Sequence, residues 1–427
     1  MTGIARTLTG DRVAIVIQRC HESVVGGAES LAWQYAGYLK DRYDVDVITT
    51  CAANADTWRN VFPAGAEERE GVTIRRFECL PGHTAYWHKL HEVLVHHHRS
   101  FTKRRNLARG SVPELLEATT RMIPWGPALQ EEWIRSQGPY SVSMLEYIRT
   151  HREAYRVWIF VTYLFAPTYF GSDLAGRERS ILVPALHDEP PAYLPVFRNM
   201  AHSVRRVFWN TKAEAELARR IWGADLDGPV VSMGVSTNTA VGTAPKAQPR
   251  ILYILYCGRI DPGKGCDRLF RYFRLFQKQH PGPLKLLLTG NLQMALPKPR
   301  PGIRYLGFVS DAEKRRLMAG ARAVIAPSPN ESLSLITLEA LAEGTPVLAY
   351  GGNPVLREHI EASQGGLLFT NYESFRVGLG RILGSPGLRE SLGAGGEKYV
   401  REYFDESVVR ARLHAEIERF PAAGVDA

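Results

Sequence analysis

The stretch Glu331-Ser-Leu-Ser-Leu-Ile-Thr-Leu-Glu339 is the most informative part of the sequence. It follows a short apolar run and a turn. The run is Ala323-Val-Ile-Ala326, and the turn is Pro327-Ser-Pro-Asn330. We predict a strand, a loop and a helix that opens at Ser332 or Ser334, since serine hydroxyls cap free amide groups. The start of such a helix offers unpaired N–H groups and the positive end of the helix dipole, which both favour an anion.

Two carboxylates frame this stretch. We predict Glu331 in the loop before the helix and Glu339 inside the helix, on the face that it shares with Leu335 and Ile336. A carboxylate against apolar packing needs hydrogen-bond donors, and sugar hydroxyls would supply them. The alternative is that Glu339 is a solvated side chain at the edge of a helix.

A second loop, upstream of the first, carries two cations. The run Ile251-Leu-Tyr-Ile-Leu-Tyr-Cys257 predicts a buried strand, and Gly258-Arg-Ile-Asp-Pro-Gly-Lys-Gly265 follows it directly. Glycines at the end of a strand let a ligand approach the backbone closely. Ligands of open parallel sheets bind beyond the carboxyl ends of the strands, so Arg259 and Lys264 could converge with the helix start on a diphosphate. Either cation alone would be explained by a solvated loop.

These motifs together resemble the donor half of family 4 of the retaining glycosyltransferases. The donor-side motifs are Gly258-Arg259, Lys264-Gly265, Glu331 and Glu339 with seven residues between them, and Gly344-Thr-Pro-Val347. The first half of the chain adds Gly26-Gly-Ala-Glu29 and His187-Asp188. The resemblance covers most of the chain apart from roughly residues 80–150. Leu333 and Ser334 depart from it, because the family often has Phe-Gly there.

The resemblance implies an α/β protein of GT-B architecture, with two facing Rossmann-like domains and a central cleft. Residues 1–230 would form the acceptor-side domain, with an insertion at about 80–150. Residues 231–400 would form the domain that binds the nucleotide sugar, and residues 401–427 would return to the first domain as a helix. The stretch 236–250, which contains Thr, Ala, Pro and Gly, would connect the domains.

The resemblance also implies the residues of the site. The catalytic set would be Glu331, His187, Arg259 and Lys264. The donor-binding set would be Gly26, Gly27, Arg259, Lys264, Phe308, Val309, Glu331, Ser334, Leu335 and Glu339. In this scheme Glu339 holds ribose hydroxyls, and the backbone at Phe308 and Val309 meets the nucleobase. His187 contacts the transferred sugar, and Glu331 lies beside it as a nucleophile or a positioning group.

The function predicted in this way is the transfer of a hexose from a nucleotide-diphosphate donor, with retention of anomeric configuration, to a glycan, lipid-linked or small-molecule acceptor. We find no DxD-like carboxylate pair in a convincing setting, so we predict no metal and no other cofactor. One alternative is an epimerase or phosphorylase-like enzyme of the same architecture. The other is a non-catalytic subunit that binds a sugar nucleotide and supports a partner transferase. The intact Arg259, Lys264 and Glu331 argue against both.

Composition sets the outer limits of this interpretation. The chain has 427 residues, 45% of them hydrophobic, which is enough for two domains with separate cores. Its formal charge of +9 would suit a nucleotide donor, an anionic membrane surface or nucleic acid, and does not choose among them. Because no GxGxxG follows a strand, a dinucleotide oxidoreductase is disfavoured. We predict no nucleic-acid partner.

The expected compartment is the cytoplasm. The five cysteines are odd in number and form no CxxC pair, which favours free thiols in a reducing compartment. The segment from Met1 to Asp11 lacks the apolar core of a signal peptide. The longest apolar stretch, residues 157–166, is too short to span a bilayer.

A histidine-rich basic stretch covers residues 83–109. It contains the run His96-His-His98 and the cations Lys103, Arg104 and Arg105. Three consecutive histidines cannot share one face of a helix, which argues against a tetrahedral metal site. A solvated basic face remains one interpretation. The other is a patch that meets the acceptor or the inner face of a membrane, since Trp87, Leu94 and Phe101 are interleaved with the cations.

Hydrophobic patterning predicts alternating strands and helices. Strand patterns lie at 12–18, 44–50, 71–77, 156–162, 180–186, 206–211, 251–257, 284–289, 303–307, 323–326, 347–349 and 366–369. Helical patterns lie at 212–222, 267–279, 311–320, 333–343, 387–404 and 407–420. This alternation is typical of parallel sheets covered by helices.

Overall fold

The computed structural model describes residues 11–24, 26–107, 125–237, 251–298 and 302–422, except for the side chains of residues 100–107. The chain divides into two compact units. The first holds the described residues up to Val231 and again from Arg410, and the second is Ser232–Val409. Each unit contains its own sheet, so the α/β prediction is confirmed in both.

The first unit contains, in its described residues, a seven-stranded sheet in the order β3-β4-β2-β1-β5-β6-β7. Its strands are β1 (Arg12–Val16), β2 (Asp44–Thr50), β3 (Gly65–Arg69), β4 (Val72–Phe77), β5 (Val157–Val161), β6 (Ser180–Val183) and β7 (Arg206–Val207). The central strands are buried runs of Val, Ile and Leu, as parallel strands covered on both faces require. Among the described strands of this sheet, only the pair of β3 with β4 is antiparallel. Hydrophobic patterning did not predict the edge strand β3.

Helices cover this sheet, and three of the described ones lie between residues 77 and 156, where no strand pattern was predicted. The helices are α1 (Gly27–Leu39), α2 (Ala85–Leu107), α3 (Pro127–Gln137), α4 (Val142–His151), α5 (Ala166–Ala175), α6 (Pro195–Ser203) and α7 (Lys212–Trp222). Leu94 of α2, Trp133 of α3 and Ile148 of α4 belong to the same core cluster as Phe160 of β5. The described part of the insertion at about 80–150 is therefore built into the core of its unit.

The second unit contains a six-stranded sheet, all parallel over the described residues, in the order β10-β9-β8-β11-β12-β13. Its strands are β8 (Tyr253–Cys257), β9 (Lys285–Thr289), β10 (Ile303–Tyr305), β11 (Val324–Ala326), β12 (Val347–Tyr350) and β13 (Gly366–Phe369). Its helices are α8 (Cys266–Gln279), α9 (Asp311–Gly320), α10 (Leu335–Ala342), α11 (Pro354–Ser363), α12 (Tyr372–Gly384) and α13 (Pro386–Tyr403), and α14 (Glu406–Ile417) crosses the unit boundary.

In the second sheet, the direction in which successive strands are added changes between β8 and β11. The chain runs outward from β8 to β10 and then returns to the other side of β8 with β11. Ligands of open α/β sheets bind in the crevice outside the carboxyl ends of the strands at such a reversal. The loops that follow β8 and β11 are the two loops that carry the predicted cations and Glu331, so the topology places them at the binding edge.

Three further predictions can be compared with the structure. The five cysteines are free and buried, as the prediction of free thiols requires. The connecting stretch 236–250 lies mostly outside the described residues, which stop at residue 237 and resume at 251. No helix in the described part of the chain combines the length and the apolar character that a membrane span requires.

Candidate active site

The loops after β8 and β11 touch each other through Gly265. This residue has φ +74°, and a Cβ atom on it would lie 2.3 Å from the carbonyl oxygen of Pro327. No side chain can occupy that space, and L-residues rarely adopt this backbone conformation. Gly265 therefore lets the cationic loop lie directly against the loop that leads to Glu331.

Asp261 holds both cationic residues of the first loop. Its carboxylate forms an ion pair with the Arg259 guanidinium, whose side chain is 54% exposed. Its other oxygen accepts a hydrogen bond of 3.1 Å from the Lys264 amide, which caps the 3₁₀ turn Pro262–Lys264. Asp261 is absent from the predicted site, although an aspartate three residues before a turn amide is a typical cap.

Lys264 and Glu331 meet across the two loops. The Lys264 Nζ lies 2.8 Å from Glu331 Oε1, and both side chains are partly buried. The predicted lysine and the predicted carboxylate, which are 67 positions apart, thus form one ion pair at the reversal of the sheet. An anion that binds here would compete with Glu331 for the ammonium group.

Ser334 starts α10 in an unusual conformation. Its φ and ψ are 61° and 63°, in the left-handed region that favours glycine. The hydroxyl lies 2.9 Å from the Thr337 hydroxyl, and no amide is capped by it, so the prediction of a serine side-chain cap at this residue is wrong. The carbonyl of Ser334 instead accepts from the Thr337 amide at 2.9 Å. Glycine, which the resembled family often has here, would adopt this backbone at lower cost.

His359 of α11 fixes the loop just before Ser334. Its Nε2 lies 2.7 Å from the Leu333 carbonyl oxygen, and its Nδ1 lies 3.1 Å from the Tyr399 hydroxyl. Burial lowers the pKa of His359 to about 4, so the ring is neutral. Since a carbonyl only accepts, Nε2 donates to it and Nδ1 accepts from the tyrosine. His359 is not among the residues predicted from the sequence.

Glu339 is not the solvated side chain of the alternative interpretation, because its side chain is only 18% exposed. Lys314 Nζ of α9 donates to Oε1 of Glu339 at 2.8 Å. The other oxygen, Oε2, is buried and has no hydrogen-bond partner among the residues that the structure describes. Burial raises the pKa of Glu339, and the neighbouring Lys314 opposes that rise. Lys314 is not among the residues predicted from the sequence.

Phe308 and Val309 follow β10 at the same edge of the second sheet. The Phe308 side chain is 69% exposed, which is unusual for a large aromatic residue. The turn before it is fixed, because the Gly307 carbonyl oxygen accepts from the Thr289 hydroxyl at 2.8 Å and from the Gly290 amide at 3.0 Å. The loop is therefore ordered around an aromatic ring that has little protein covering it.

The predicted glycines belong to the first unit, where Gly26 precedes α1 and Gly27 is its first residue. Gly26 leaves room for a carboxylate, because a Cβ atom there would lie 2.0 Å from Oε2 of Glu29. Glu29 forms an ion pair of 2.5 Å with Arg19. A Cβ atom on Gly27 would meet no other atom within 4 Å. The space for Glu29 thus explains Gly26 without a ligand.

His187 also belongs to the first unit, in the loop after β6. The residue before it is anchored, because the Leu186 amide donates to Oε1 of Glu214 at 2.6 Å. The other oxygen of Glu214 accepts from the Asn210 amide, also at 2.6 Å, and burial raises the pKa of Glu214 to about 8. This buried carboxyl group, which the sequence argument missed, holds the base of the loop that carries His187.

No group of three His, Cys, Asp or Glu side chains within the described ranges is arranged to hold a metal ion. The histidine-rich helix α2 instead places His91 in a ring stack with Trp87, at 4.6 Å between centroids. Burial lowers the pKa of His91. His91 therefore packs as part of an aromatic cluster.

The sequence is similar to a family model and to curated proteins. Residues 245–399 match the family model described as Glycosyl transferases group 1. A D-inositol 3-phosphate glycosyltransferase of Actinosynnema mirum is 30% identical over 239 residues, which cover 49% of this chain and 56% of that protein. Its counterpart in Jonesia denitrificans is 28% identical over 264 residues, covering 54% of this chain and 61% of that protein. The matched segments thus span little more than half the length of these curated relatives.

Solved structures resemble this chain over nearly its full length. Sucrose-phosphate synthase from Thermosynechococcus elongatus has a TM-score of 0.64 at 15% identity, covering 96% of this chain and 98% of that one. Anabaena Alr3699/HepE in complex with UDP-glucose has a TM-score of 0.62 at 16% identity, covering 95% and 99%. At these identities the likeness shows the fold alone, and it confirms the predicted GT-B fold class.

Proposed function

We propose, from the glycosyl transferases group 1 domain that residues 245–399 form, that this chain is a retaining glycosyltransferase that uses a nucleotide-diphosphate sugar. The observation that carries the proposal is the Lys264–Glu331 ion pair at the reversal of the second sheet. Arg259 lies in the same loop as Lys264, and α10 begins just after Glu331. In this scheme the first unit is the acceptor side and the second unit is the donor side.

The cations would act on the leaving group. Departure of the nucleoside diphosphate places negative charge on its phosphate oxygens, so donors that face them stabilise the transition state more than the ground state. Arg259, Lys264 and the first amides of α10 would be those donors. Asp261 would keep both cationic residues in position, because it binds the Arg259 side chain and the Lys264 amide.

The donor sugar would lie beside Glu331. When a diphosphate takes over the ammonium of Lys264, the Glu331 carboxylate becomes available to the sugar, as a nucleophile or as a positioning group. For His187, contact with the transferred sugar stays a separate prediction. Its loop is anchored through Leu186 to the buried Glu214.

The nucleoside would occupy the outer part of the same edge. The buried Oε2 of Glu339, which lacks a partner among the described side chains and backbone groups, would accept a ribose hydroxyl. The nucleobase would meet the backbone at Phe308 and Val309. One solved neighbour is described as a complex with UDP-glucose, which makes UDP-glucose the first donor to test.

The proposal is tested by offering the purified chain a panel of UDP-, GDP- and ADP-hexoses. A ligand at a hundred times its Kd stabilises a protein by about 2.7 kcal/mol, which a thermal-shift assay detects. We expect one nucleotide family to raise the Tm and to be hydrolysed slowly with release of the nucleoside diphosphate. Binding without any turnover would favour the non-catalytic subunit, and no binding at all would overturn the proposal.

Donor hydrolysis and transfer should persist in excess EDTA. The physical reason is that Arg259, Lys264 and the helix amides would supply the positive charge that a divalent metal otherwise provides at a diphosphate. The measurement is the rate with EDTA, compared with the rate after Mg²⁺ or Mn²⁺ is added back. Activity that EDTA abolishes and either metal restores would contradict this assignment of the diphosphate site.

We propose further that α2 meets a lipid-linked or anionic acceptor at the cytoplasmic face of a membrane. Its described part exposes Tyr86 and Val93 on a helix that also carries Lys89. The prediction for Lys103, Arg104 and Arg105 concerns side chains outside the described part of the chain. Replacing these three by alanine should weaken binding to anionic vesicles by about 1 kcal/mol per charge and leave donor affinity unchanged. Vesicle binding that is absent in the parent, or equal in the variant, would leave only a solvated basic face.

A further inference from the structure

We infer that Lys314 is a positioning residue that keeps Glu339 ionised, and that it thereby makes nucleotide-sugar binding insensitive to pH across the neutral range. The inference rests on the proposed function, because it takes Glu339 as the group that accepts a ribose hydroxyl. Neither the sequence motifs nor the resemblance includes Lys314. Its role follows from which groups surround Glu339.

Lys314 has one main partner. Its Nζ lies 2.8 Å from Glu339 Oε1 and 3.2 Å from Asp311 Oδ1. The Asp311 side chain is 93% exposed, whereas those of Lys314 and Glu339 are 19% and 18% exposed. Because solvent screens the exposed pair much more than the sheltered one, the contact with Glu339 is the stronger of the two.

The contact between Lys314 and Glu339 is accompanied by a second ion pair from the neighbouring residue of α9. The next residue of α9, Arg315, forms an ion pair of 2.5 Å with Glu343, the residue that caps the C-terminal end of α10. Arg315 also donates to the Ser236 carbonyl oxygen at 3.1 Å. One pair thus ends on the buried Glu343, and the other ends on Glu339, whose Oε2 has no hydrogen-bond partner in the described part of the chain. The chain therefore contains its own matched control.

The charged surroundings of Glu339 explain why Lys314 matters. Burial disfavours the carboxylate, and the exposed Asp311 also opposes its ionisation. Lys314 and, more weakly, Arg315 favour ionisation. The thiol of Cys257 at the end of β8 also faces Glu339, but burial raises its pKa to about 12, so it carries no charge. Among the described residues around Glu339, Lys314 is thus the group that most strongly favours the ionised carboxylate.

Removing Lys314 should make nucleotide-sugar affinity depend on pH. Loss of the ammonium group raises the pKa of Glu339 further, so protonation extends to higher pH. A carboxylate accepts a hydroxyl hydrogen bond more strongly than a neutral carboxyl group does. Affinity for the nucleotide sugar should therefore fall as pH decreases in a Lys314→Met variant. In the parent it should stay nearly constant, because Lys314 keeps Glu339 charged.

The experiment is calorimetric titration of the full chain with UDP-glucose, GDP-mannose and ADP-glucose, continued with whichever the parent binds. Nucleotide sugars are suitable probes because each phosphorus carries one ester and one anhydride bond, so neither phosphate has a proton that titrates near neutral pH. Between about pH 8.5 and about pH 6, we expect the Kd of Lys314→Met to rise by about tenfold relative to the parent. Lys314→Arg, which retains a positive charge, should restore a flat profile.

Two controls separate positioning from structural damage. Arg315→Met should lower the Tm but leave the pH profile of binding flat. Glu339→Gln should bind weakly at every pH, and adding Lys314→Met to it should cause no further pH dependence. A Lys314→Met variant whose Kd equals that of the parent at both pH values, or is raised equally at both, would overturn the inference. Failure of the parent to bind any of the three probes would overturn the proposed function itself.

Discussion

Replacing Lys264 by alanine should lower kcat by about ten- to a hundredfold or somewhat more, while the KM for the donor changes less. The reason is that Lys264 would face phosphate oxygens whose charge grows as the glycosidic bond breaks, so its interaction strengthens in the transition state. The same change removes the cation that lies 2.8 Å from Glu331. Steady-state kinetics with the donor identified by the panel measure both parameters.

Replacing Glu339 by alanine should change a different kinetic parameter from the one that Lys264→Ala changes. Ribose hydroxyls do not change during the reaction, so Glu339 would contribute equally to ground state and transition state. Its loss should therefore appear mainly as a raised donor KM with kcat retained.

For Lys264→Ala, the control is Lys278→Ala at the exposed C-terminal end of α8, which also removes a lysine charge from the same unit. A Lys264→Ala enzyme with normal kcat would mean that this lysine does not face the diphosphate.

Much of the second unit could be predicted because its strands are short runs of buried apolar residues between glycine- and proline-rich turns. β13, Gly366–Phe369, and α9, Asp311–Gly320, have the predicted bounds. Parallel strands place their carboxyl ends at one edge, so the convergence of the two loops could be predicted from strand direction. The ion pair between Lys264 and Glu331, which are 67 positions apart, was not predicted.

The partners of those residues could not be predicted. Lys314 reaches Glu339 only because α9 and α10 pack with particular rotations about their axes, and hydrophobic patterning fixes such rotations only loosely. His359 binds the Leu333 carbonyl oxygen from a helix that starts 21 residues later in the chain. Such contacts depend on side-chain geometry at a packed interface, for which a single sequence holds no periodic signal.

Local conformation was missed for a different reason. Ser334 occupies a left-handed position that propensity assigns to glycine, and a serine before a helix is ordinarily interpreted as a cap. The edge strand β3 is mostly exposed and consists of Gly65-Ala-Glu-Glu-Arg69, so it lacks the apolar residues on which strand patterns depend. In both cases tertiary pairing outweighs local preference.

Gly265→Ala should lower stability by about 2–4 kcal/mol and weaken donor binding strongly, because it affects the contact between the two loops of the site. With φ at +74°, alanine would be strained by about 1–2 kcal/mol from the backbone alone. Its Cβ would also lie 2.3 Å from the Pro327 carbonyl oxygen, which is backbone and cannot rotate away. The loops after β8 and β11 would have to separate, and Lys264 would move relative to Glu331.

The measurement for Gly265→Ala is thermal unfolding together with the Kd for the nucleotide sugar that the parent binds. Gly282→Ala is the matched control, because a Cβ atom on Gly282 would meet no other atom within 4 Å. That control should be nearly neutral or slightly stabilising, since alanine restricts the unfolded chain. If Gly265→Ala kept the parent Tm and Kd, close contact between the loops would not be needed for the site. A lowered Tm with unchanged Kd would instead confine the role of Gly265 to folding and separate it from donor binding.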